Sequence, residues 1–481
     1  MADYDLVVRG GTVVTASDTV RADVGIVGGR IAAVGEGLSG ASVIDAGGLL
    51  VLPGGVDTHC HIEQLRPDGG ADEETWVTGS TACLAGGTTS VISFSTQFKG
   101  HGILAPLAEY RRRAAQSMVD YGFHQIITDA TDDVVWREIP QIVAEGVRSL
   151  KVFLTYDPLH LDDRAFLRVL AAARRSQAFV TVHCENYEAI RWRTEALLKA
   201  GLTAPKYHAW SRPVMVEREA THRAIALAEL VDQPIQIFHV SCAEVAEEVA
   251  RARARGLKVW AETCPHYFVL TPADMDRPGF EGAKYMCSPA PRDAVHHEAL
   301  WDQIRAGTID VVSSDHSAFS FTGARGKRIR GSDVPFRDIP NGVPGLTARL
   351  PVLFSEGVAG GRIDVQTFVA LTATNPAKLF GLYPKKGTIA PGADADLVLW
   401  DPARRTVLTN AVMQHVMDYT QYEGMEVTGW PVATIRRGEV VMRDDKVQAE
   451  PGSGEYLPRG PYDVIRPTGA LPDGFDASLY A

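Results

Sequence analysis

The sequence is poor in cysteine and carries no excess of positive charge, and each shortage excludes a class of protein. Six cysteines in 481 residues, with no Cys-x-x-Cys pair, exclude a disulfide framework and a thiolate zinc site. A net charge of −11 would repel nucleic acid and anionic membranes. No apolar run approaches the roughly 20 residues that span a bilayer, and the acidic start of the chain shows no signal peptide. We therefore expect a cytoplasmic protein with no nucleic-acid or membrane partner.

The two ends of the chain share a β-rich pattern. Short β-branched runs separated by glycine or polar turns occupy residues 4–9, 11–15, 23–27 and 30–34, and similar runs return at 386–389, 396–400, 433–437 and 439–443. This pattern predicts one small β-sandwich domain built from both termini, residues 1–53 and 387–445. Residues 446–481 are rich in proline, glycine and aspartate and should form an extended tail, either disordered or packed at a subunit interface.

The middle of the chain, residues 54–386, alternates short apolar strands with charged amphipathic helices. Residues 179–182 precede a predicted helix at 190–198, and residues 235–238 precede one at 243–255, which Ser241 should cap and Gly256 should end. About eight such units predict a parallel sheet. The predicted fold class is α/β, a TIM-like (β/α)8 barrel with the β-sandwich domain attached. An open doubly wound sheet is the alternative, but no Gly-x-Gly-x-x-Gly motif, which is typical of that fold, follows a strand in this sequence.

Candidate metal ligands stand where the predicted strands end. His59 and His61, spaced i and i+2 after an apolar run, point to the same side of an extended chain and can reach one ion. His183, His239 and Asp315 each close a further strand, and the functional groups of such barrels gather at that face. A single histidine after a strand is more often a packing or capping residue. Four histidines and an aspartate at one face are hard to explain as packing accidents.

Lys151 lies inside the apolar strand at residues 149–154, where an ammonium would be poorly solvated. One interpretation is that its side chain extends to water at the mouth of the barrel. The other is that desolvation favours the neutral amine, which then reacts with carbon dioxide. The resulting carbamate is anionic and has two oxygens, so it could bridge two cations.

These motifs resemble those of the amidohydrolase superfamily, and within it the hydantoinases and dihydropyrimidinases. The resemblance covers essentially the whole chain, and its specific carriers are residues 54–61, 151–156, 183–186, 313–316 and 339–345. It implies two divalent metal ions, zinc first, with manganese or cobalt as substitutes. By the resemblance, His59 and His61 hold one metal with Asp315, His183 and His239 hold the other, and carbamylated Lys151 bridges them.

The resemblance also implies an activity, the hydrolysis of a cyclic amide to the N-carbamoyl amino acid by a hydroxide that the metals activate. The small-molecule substrate would be a hydantoin, a dihydropyrimidine or a related cyclic ureide. Asp315 would carry the proton to the leaving nitrogen, and Tyr156 would donate to the oxyanion. Ser288 and Asn341 would hold the amide edge through backbone groups. The pocket for the ring substituent would be lined by Leu65, Phe153 and Leu159. A homo-oligomer, tetramer or dimer, is expected.

The sequence leaves the ring itself open. Glu63 stands where dihydroorotase-like relatives carry an arginine, and its charge argues against dihydroorotate. Residues 64–70 are more polar than the apolar segment common in dihydropyrimidinases, which puts the uracil-derived ring in doubt. Allantoinase or cyclic imide hydrolase activity is the alternative. The basic segment Arg325–Arg330 is either a solvated loop or a contact for a carboxylated substituent.

A function of another class is also considered. Some dihydropyrimidinase-like proteins are non-catalytic scaffolds that lack metal ligands. That interpretation needs missing ligands, and all six positions named above carry a residue able to bind metal.

Overall fold

Two β-sheets organise the part of the chain that the computed structural model describes, residues 3–66, 69–323 and 325–471. The strands are, in chain order, β1 (Tyr4–Val14), β2 (Thr19–Val27), β3 (Arg30–Gly35), β4 (Gly40–Asp45), β5 (Leu50–Pro53), β6 (Gly55–Cys60), β7 (Thr88–Ser95), β8 (Asp120–Ile126), β9 (Ser149–Phe153), β10 (Phe179–His183), β11 (Ile235–Ile237), β12 (Val259–Thr263), β13 (Val311–Val312), β14 (Leu397–Val407), β15 (Glu426–Arg436), β16 (Glu439–Arg443) and β17 (Lys446–Val447).

One sheet is mixed and combines strands from both ends of the chain. It contains β1 to β5 and β14 to β17, and its two halves meet where β5 pairs antiparallel with β14. Val51 lies opposite Leu399 in this pairing, and both side chains are buried in a hydrophobic cluster that the two halves share. Neither end can bury its apolar face alone, so the sheet requires both.

Two details of this sheet differ from the predicted strands. The runs at 4–9 and 11–15 form one strand, β1, with an irregular register between Val8 and Gly11. The predicted strand at 386–389 is absent among the described residues, because Lys386 is buried in ion pairs with Asp120, Asp394 and Asp396 instead of pairing in a ladder.

The second sheet is a parallel barrel of the eight strands β6 to β13, in sequence order. The last strand meets the first through a parallel bridge between Cys60 and His316, where the His61 amide donates to the His316 carbonyl at 2.7 Å. The helices are α1 (Trp76–Ala85), α2 (Leu104–Ala114), α3 (Ile139–Ala144), α4 (Asp163–Ser176), α5 (Tyr187–Lys199), α6 (Tyr207–Ser211), α7 (Val214–Leu230), α8 (Ala243–Ala254), α9 (Val295–Arg305), α10 (Arg349–Leu353), α11 (Val365–Val369) and α12 (Asn375–Leu379). The predicted fold class, a TIM-like (β/α)8 barrel with a small β domain built from both termini, is confirmed; the strands of the predicted β-sandwich are joined in one mixed sheet.

The start of α8 differs from its prediction. Cys242 occupies the N-cap position and makes no side-chain cap. The Ser241 hydroxyl donates instead to the buried carboxylate of Glu217. None of the described helices is both long and apolar enough to cross a membrane.

The described part of the C-terminal tail packs on the barrel of the same chain. Tyr456 forms a parallel bridge with Tyr121, and the Leu457 amide donates to the Tyr121 carbonyl at 2.7 Å. Arg459 is buried, and its guanidinium donates to the Ser149 hydroxyl at 2.8 Å. The tail therefore contacts β8 and β9 at the ends opposite the predicted ligands. The last ten residues of the predicted tail lie outside the described ranges.

Candidate metal centre and active site

The six predicted metal ligands meet at the carboxyl ends of the barrel strands. His59 lies on β6 and Lys151 on β9, His183 ends β10, and His61, His239 and Asp315 follow β6, β11 and β13. All six line one cavity of about 720 Å³. Parallel strands end at the same face of a barrel, so residues far apart in sequence converge there.

Three residues of this cavity have left-handed backbone. The φ angles are 41° at His239, 44° at Asp315 and 71° at Tyr156. Residues other than glycine adopt this backbone conformation at a cost of about 1–3 kcal/mol, and they keep it only where the surrounding packing imposes it. The packing of the barrel therefore fixes where these three side chains point.

His59, His61 and Asp315 form the first candidate ligand group. The Asp315 Oδ1 lies 3.0 Å from the His59 Nε2 and 3.7 Å from the His61 Nε2. One ligand atom from each residue lies within 4.8 Å of the others. Burial raises the pKa of Asp315, but the neighbouring histidines outweigh it and hold that pKa well below its usual value. Asp315 is therefore ionised, the form in which a carboxylate can bind a metal.

His183 and His239 form the second group, with ring centroids 4.2 Å apart. Burial lowers the pKa of His183 to about 4 and that of His239 well below its usual value. Both rings are therefore neutral near pH 7, the form that binds metal. Neither ring nitrogen of His239 has a hydrogen-bond partner in the described part of the chain, although both are buried.

Lys151 lies between the two groups and is fully buried, so the interpretation in which its side chain extends to water is wrong. Its Nζ lies 4.2, 4.9 and 5.8 Å from the ring centroids of Phe238, Phe153 and Phe94. No hydrogen-bond partner of this nitrogen is found among the described residues. Burial lowers the pKa of Lys151 to about 7, so a neutral amine is accessible at neutral pH. Together with neutral imidazoles and an ionised carboxylate, this donor set suits two divalent cations.

Sequence reasoning missed three residues that orient the ligands. Glu262 lies 2.5 Å from the Nδ1 of His59, Glu185 lies 2.7 Å from the Nε2 of His183, and Gln64 lies 2.9 Å from the Nδ1 of His61. Such partners fix the tautomer and the direction of a ligating ring. Two signals for these partners were available in the sequence. One glutamate lies inside the apolar strand β12, and a second glutamate follows His183 by two residues.

Glu185 also links the metal side of the cavity to Tyr156. The Arg212 Nη1 donates to the Glu185 Oε2 at 2.6 Å, and the guanidinium lies 5.3 Å from the Tyr156 ring centroid. Burial raises the pKa of Glu185, but Arg212 and His183 outweigh it and lower that pKa to about 2. The Glu185 carboxylate therefore holds both the candidate ligand His183 and Arg212, which packs against Tyr156 in the wall of the cavity.

The residues predicted to contact the substrate converge in the same cavity, where the Tyr156 ring centroid lies 5.2 Å from that of His183. The Ser288 hydroxyl donates to the Asn341 Oδ1 at 2.9 Å, and the Tyr156 hydroxyl lies 3.4 Å from the same oxygen. All three residues line the cavity. Burial raises the pKa of Tyr156, so its hydroxyl keeps its proton and can donate.

The predicted substituent pocket is only partly assembled. Phe153 and Leu159 line the cavity, whereas Leu65 packs against the main hydrophobic cluster of the barrel and Gln64 lines the cavity in that region. The polar wall expected from residues 64–70 includes Pro67 and Asp68, which lie outside the described residues.

Glu63 does not act as the sequence suggested. Its carboxylate accepts from the Arg113 guanidinium at 2.9 Å and from the Trp76 amide at the start of α1, also at 2.9 Å. Because that charge is paired and Glu63 is not among the residues that line the cavity, the charge of Glu63 by itself does not bear on an anionic substrate.

The basic segment Arg325–Arg330 is not a uniformly solvated loop. Ile329 and Arg330 line the cavity, and Arg330 pairs with Asp338 at 2.7 Å. Lys327 is fully buried.

Comparison with known proteins supports the geometry. The sequence of a D-hydantoinase from Ralstonia pickettii is 43% identical over 461 residues, covering 95% of this chain and 99% of that protein. A solved D-hydantoinase structure superposes with a TM-score of 0.92 at 42% identity and covers 95% of this chain and all of that one. A dihydropyrimidinase structure from Brevibacillus agri gives a TM-score of 0.91 at 40% identity, covering 95% and 99%. Residues 50–441 match the Amidohydrolase family, and the chain belongs to that family.

Proposed function

We propose that the protein hydrolyses 5-monosubstituted hydantoins of D configuration to D-N-carbamoyl amino acids. The observation that carries this proposal is the convergence of six ligand residues and a polar triad, Tyr156, Ser288 and Asn341, on one cavity. The D configuration is taken from the names of relatives 37–43% identical over nearly the whole chain. Cyclic amide hydrolysis also accounts for the apolar side of the cavity, at Phe153 and Leu159, which suits a ring substituent.

Two divalent ions, zinc by our proposal, would be held by the two ligand groups described above. Bound there, they would lower the pKa of a shared water so that hydroxide is available near neutral pH. Lys151 would join the two groups as a carbamate, which needs the neutral amine that its burial favours. The surroundings of the Lys151 nitrogen agree with a carbamate. Among the described residues, no carboxylate or carbonyl lies within hydrogen-bond distance of this nitrogen to hold it as an ammonium.

Asp315 is placed to move the proton during ring opening. Asp315 is an ionised carboxylate after the end of β13. It could accept the proton of the attacking water and give it to the leaving ring nitrogen. The Tyr156 hydroxyl, which keeps its proton, would donate to the oxygen of the attacked carbonyl as its charge develops. Arg212, over the face of the Tyr156 ring, holds the phenol in place.

Ser288 and Asn341 would orient the ring before attack. Their side chains hydrogen-bond to each other, which leaves the backbone groups of both residues to pair with the amide edge of the substrate. A ring held by two such contacts reaches the attack geometry with little further loss of freedom.

Dihydropyrimidines are the second candidate substrates. This candidate rests on the Brevibacillus agri structure, which is named a dihydropyrimidinase and is 40% identical over 95% of this chain.

A hydrolysis panel tests the proposal. The panel contains both enantiomers of 5-phenylhydantoin and of 5-isopropylhydantoin, hydantoin, dihydrouracil, allantoin and succinimide. We expect kcat/KM to be highest for the D-5-substituted hydantoins and to fall about 10²-fold or more in Tyr156→Phe, because one oxyanion donor is lost. A higher kcat/KM for dihydrouracil favours the second candidate. Activity confined to allantoin or succinimide, or to the L enantiomers, would overturn the proposal.

Metal analysis separates the hydrolase from the scaffold interpretation. About two equivalents per chain are expected for the enzyme, and a protein purified with metal available that binds none would be a scaffold. The tetramer or dimer and the cytoplasmic location stay predictions, which light scattering and cell fractionation test.

A further inference from the structure

Lys327 is the buried member of the basic segment, and its contacts point to the substrate side of the cavity. Its side chain is fully buried, and its Nζ donates to the Pro340 carbonyl at 3.0 Å and to the Gly342 carbonyl at 2.9 Å. None of the ion pairs found among the described residues includes Lys327. An ammonium in such a place is costly unless hydrogen bonds compensate it, so these two carbonyls are its principal compensation.

The two carbonyls flank Asn341, the residue that contacts Ser288 and Tyr156. The segment of residues 340–342 is held tightly at Gly342. The Gly342 amide donates to the Met286 carbonyl at 2.8 Å, and a Cβ at Gly342 would lie 2.0 Å from the Ser317 carbonyl oxygen. A shift of Asn341 is therefore opposed on one side by this packing and on the other by Lys327.

We propose that Lys327 is a positioning residue, whose Nζ clamps the carbonyls on either side of Asn341 and so fixes where Asn341 meets the amide edge of the substrate. The proposal rests on the proposed function for its effect on catalysis. Lys327 is not among the residues that line the cavity, whereas Pro340, Asn341 and Gly342 are. The Nζ carries an N–H donor for each of the two carbonyls whether or not it is charged.

The position of Lys327 differs from that of the other basic residues at 325–330. Of the four basic residues at 325–330, one enters the interior while Arg330 remains at the cavity mouth paired with Asp338. Burial lowers the pKa of Lys327 to about 7, in agreement with a lysine that has exchanged water for carbonyl oxygens.

The test compares Lys327→Met with a matched control, Lys258→Met. Lys258 also donates to two backbone carbonyls, those of Asp463 at 3.1 Å and Arg466 at 2.8 Å, but it lies on the C-terminal tail contact, away from the cavity. In Lys327→Met we expect the KM for the best hydantoin of the panel to rise at least about tenfold, with a smaller fall in kcat, because a misplaced contact weakens substrate orientation. Metal content should stay at the wild-type value. Lys258→Met should leave KM unchanged.

Hydrogen exchange gives a readout that does not depend on turnover. The backbone amides at residues 339, 341–343 and 345 should exchange at least about tenfold faster in Lys327→Met than in the wild type, and they should be unaffected in Lys258→Met. If the wild-type enzyme hydrolyses no member of the panel, the proposed function fails, and the exchange data alone decide whether Lys327 anchors Asn341.

A second variant covers the case in which Lys327→Met does not fold. Lys327→Gln keeps an N–H donor on a shorter side chain, and it should show an intermediate rise in KM and in exchange at residues 339–345. The proposal would be overturned if a folded Lys327 variant, Met or Gln, lost stability but kept the wild-type KM and the wild-type exchange rates.

Discussion

Replacing Glu185 by glutamine should weaken metal binding and catalysis together, because this one carboxylate holds a ligand ring and the arginine beneath Tyr156. Its Oε2 accepts from the His183 Nε2 at 2.7 Å and from the Arg212 Nη1 at 2.6 Å. Glutamine has nearly the same volume, and its carbonyl oxygen could still accept from both donors, but it carries no negative charge. The buried guanidinium then loses its counter-charge, and the amide N–H groups replace Oε1, which is buried without a hydrogen-bond partner among the described residues.

Two magnitudes follow for Glu185→Gln. Loss of a partner that orients a ligating histidine typically costs 10–100-fold in metal affinity. The pKa of Glu185 falls from 4.5 to about 2 on folding, which corresponds to about 3 kcal/mol of stability in the metal-free protein. Because the folded pKa is the lower one, that stability is present above about pH 4.5 and is lost as the pH falls through about 2. The stability difference between wild type and variant should therefore shrink between pH 6 and pH 3.

The matched control is Glu217→Gln. Glu217 is also buried, pairs with Arg292 at 2.8 Å and accepts from Ser241, but it does not contact a candidate metal ligand. Metal retained after dialysis against graded chelator should drop in Glu185→Gln and stay at the wild-type value in Glu217→Gln, while urea unfolding shows a loss in both. Equal metal retention in the two variants would refute the reasoning.

Three further variants test the centre and its support. Lys151→Ala should lose bound metal and activity, with partial recovery on adding short carboxylic acids; full activity without any acid would exclude a bridging carbamate. Asp315→Ala should keep most of its metal by elemental analysis and lose turnover, and an unchanged rate would exclude Asp315 as the proton carrier. Lys386→Met should lower the free energy of unfolding in urea by about 3–5 kcal/mol, because three buried carboxylates lose the cation that they share and only Asp120 keeps a close second one, Arg437. An unchanged free energy of unfolding would contradict that account, and KM should not change in this variant.

The convergence of the candidate metal ligands was accessible from sequence because strand periodicity and strand ends carry the information. The i, i+2 spacing of His59 and His61 predicts a shared direction, and a parallel barrel brings the ends of β10, β11 and β13 to the same face. Lys151 was different. Its sequence context left two interpretations, and only the structure shows that its side chain is buried beside three phenyl rings.

The rest depends on tertiary contacts that local patterns do not encode. Glu63 and Leu65 follow His61 closely in sequence, yet the turn after β6 directs one to Arg113 and the other to the barrel core. Ser241 has the chemistry of an N-cap, but a buried carboxylate from α7 competes for its hydroxyl. Lys327 resembles a surface residue in a basic run, and its acceptors lie 13 and 15 positions away.

The terminal sheet has a consequence for the order in which the protein can be built during translation. β5 is made early, but its partner β14 follows the whole barrel in sequence, and Arg459, which bonds to Ser149 beneath the barrel, comes later still. A ribosome-bound chain therefore exposes the apolar face of β1 to β5 until nearly all of the polypeptide has emerged. Such late, long-range closure is slow and leaves edges open to wrong partners. Holding the nascent N-terminal strands should therefore be a task for chaperones, and a circular permutant that joins the two halves of the sheet should fold with less aggregation.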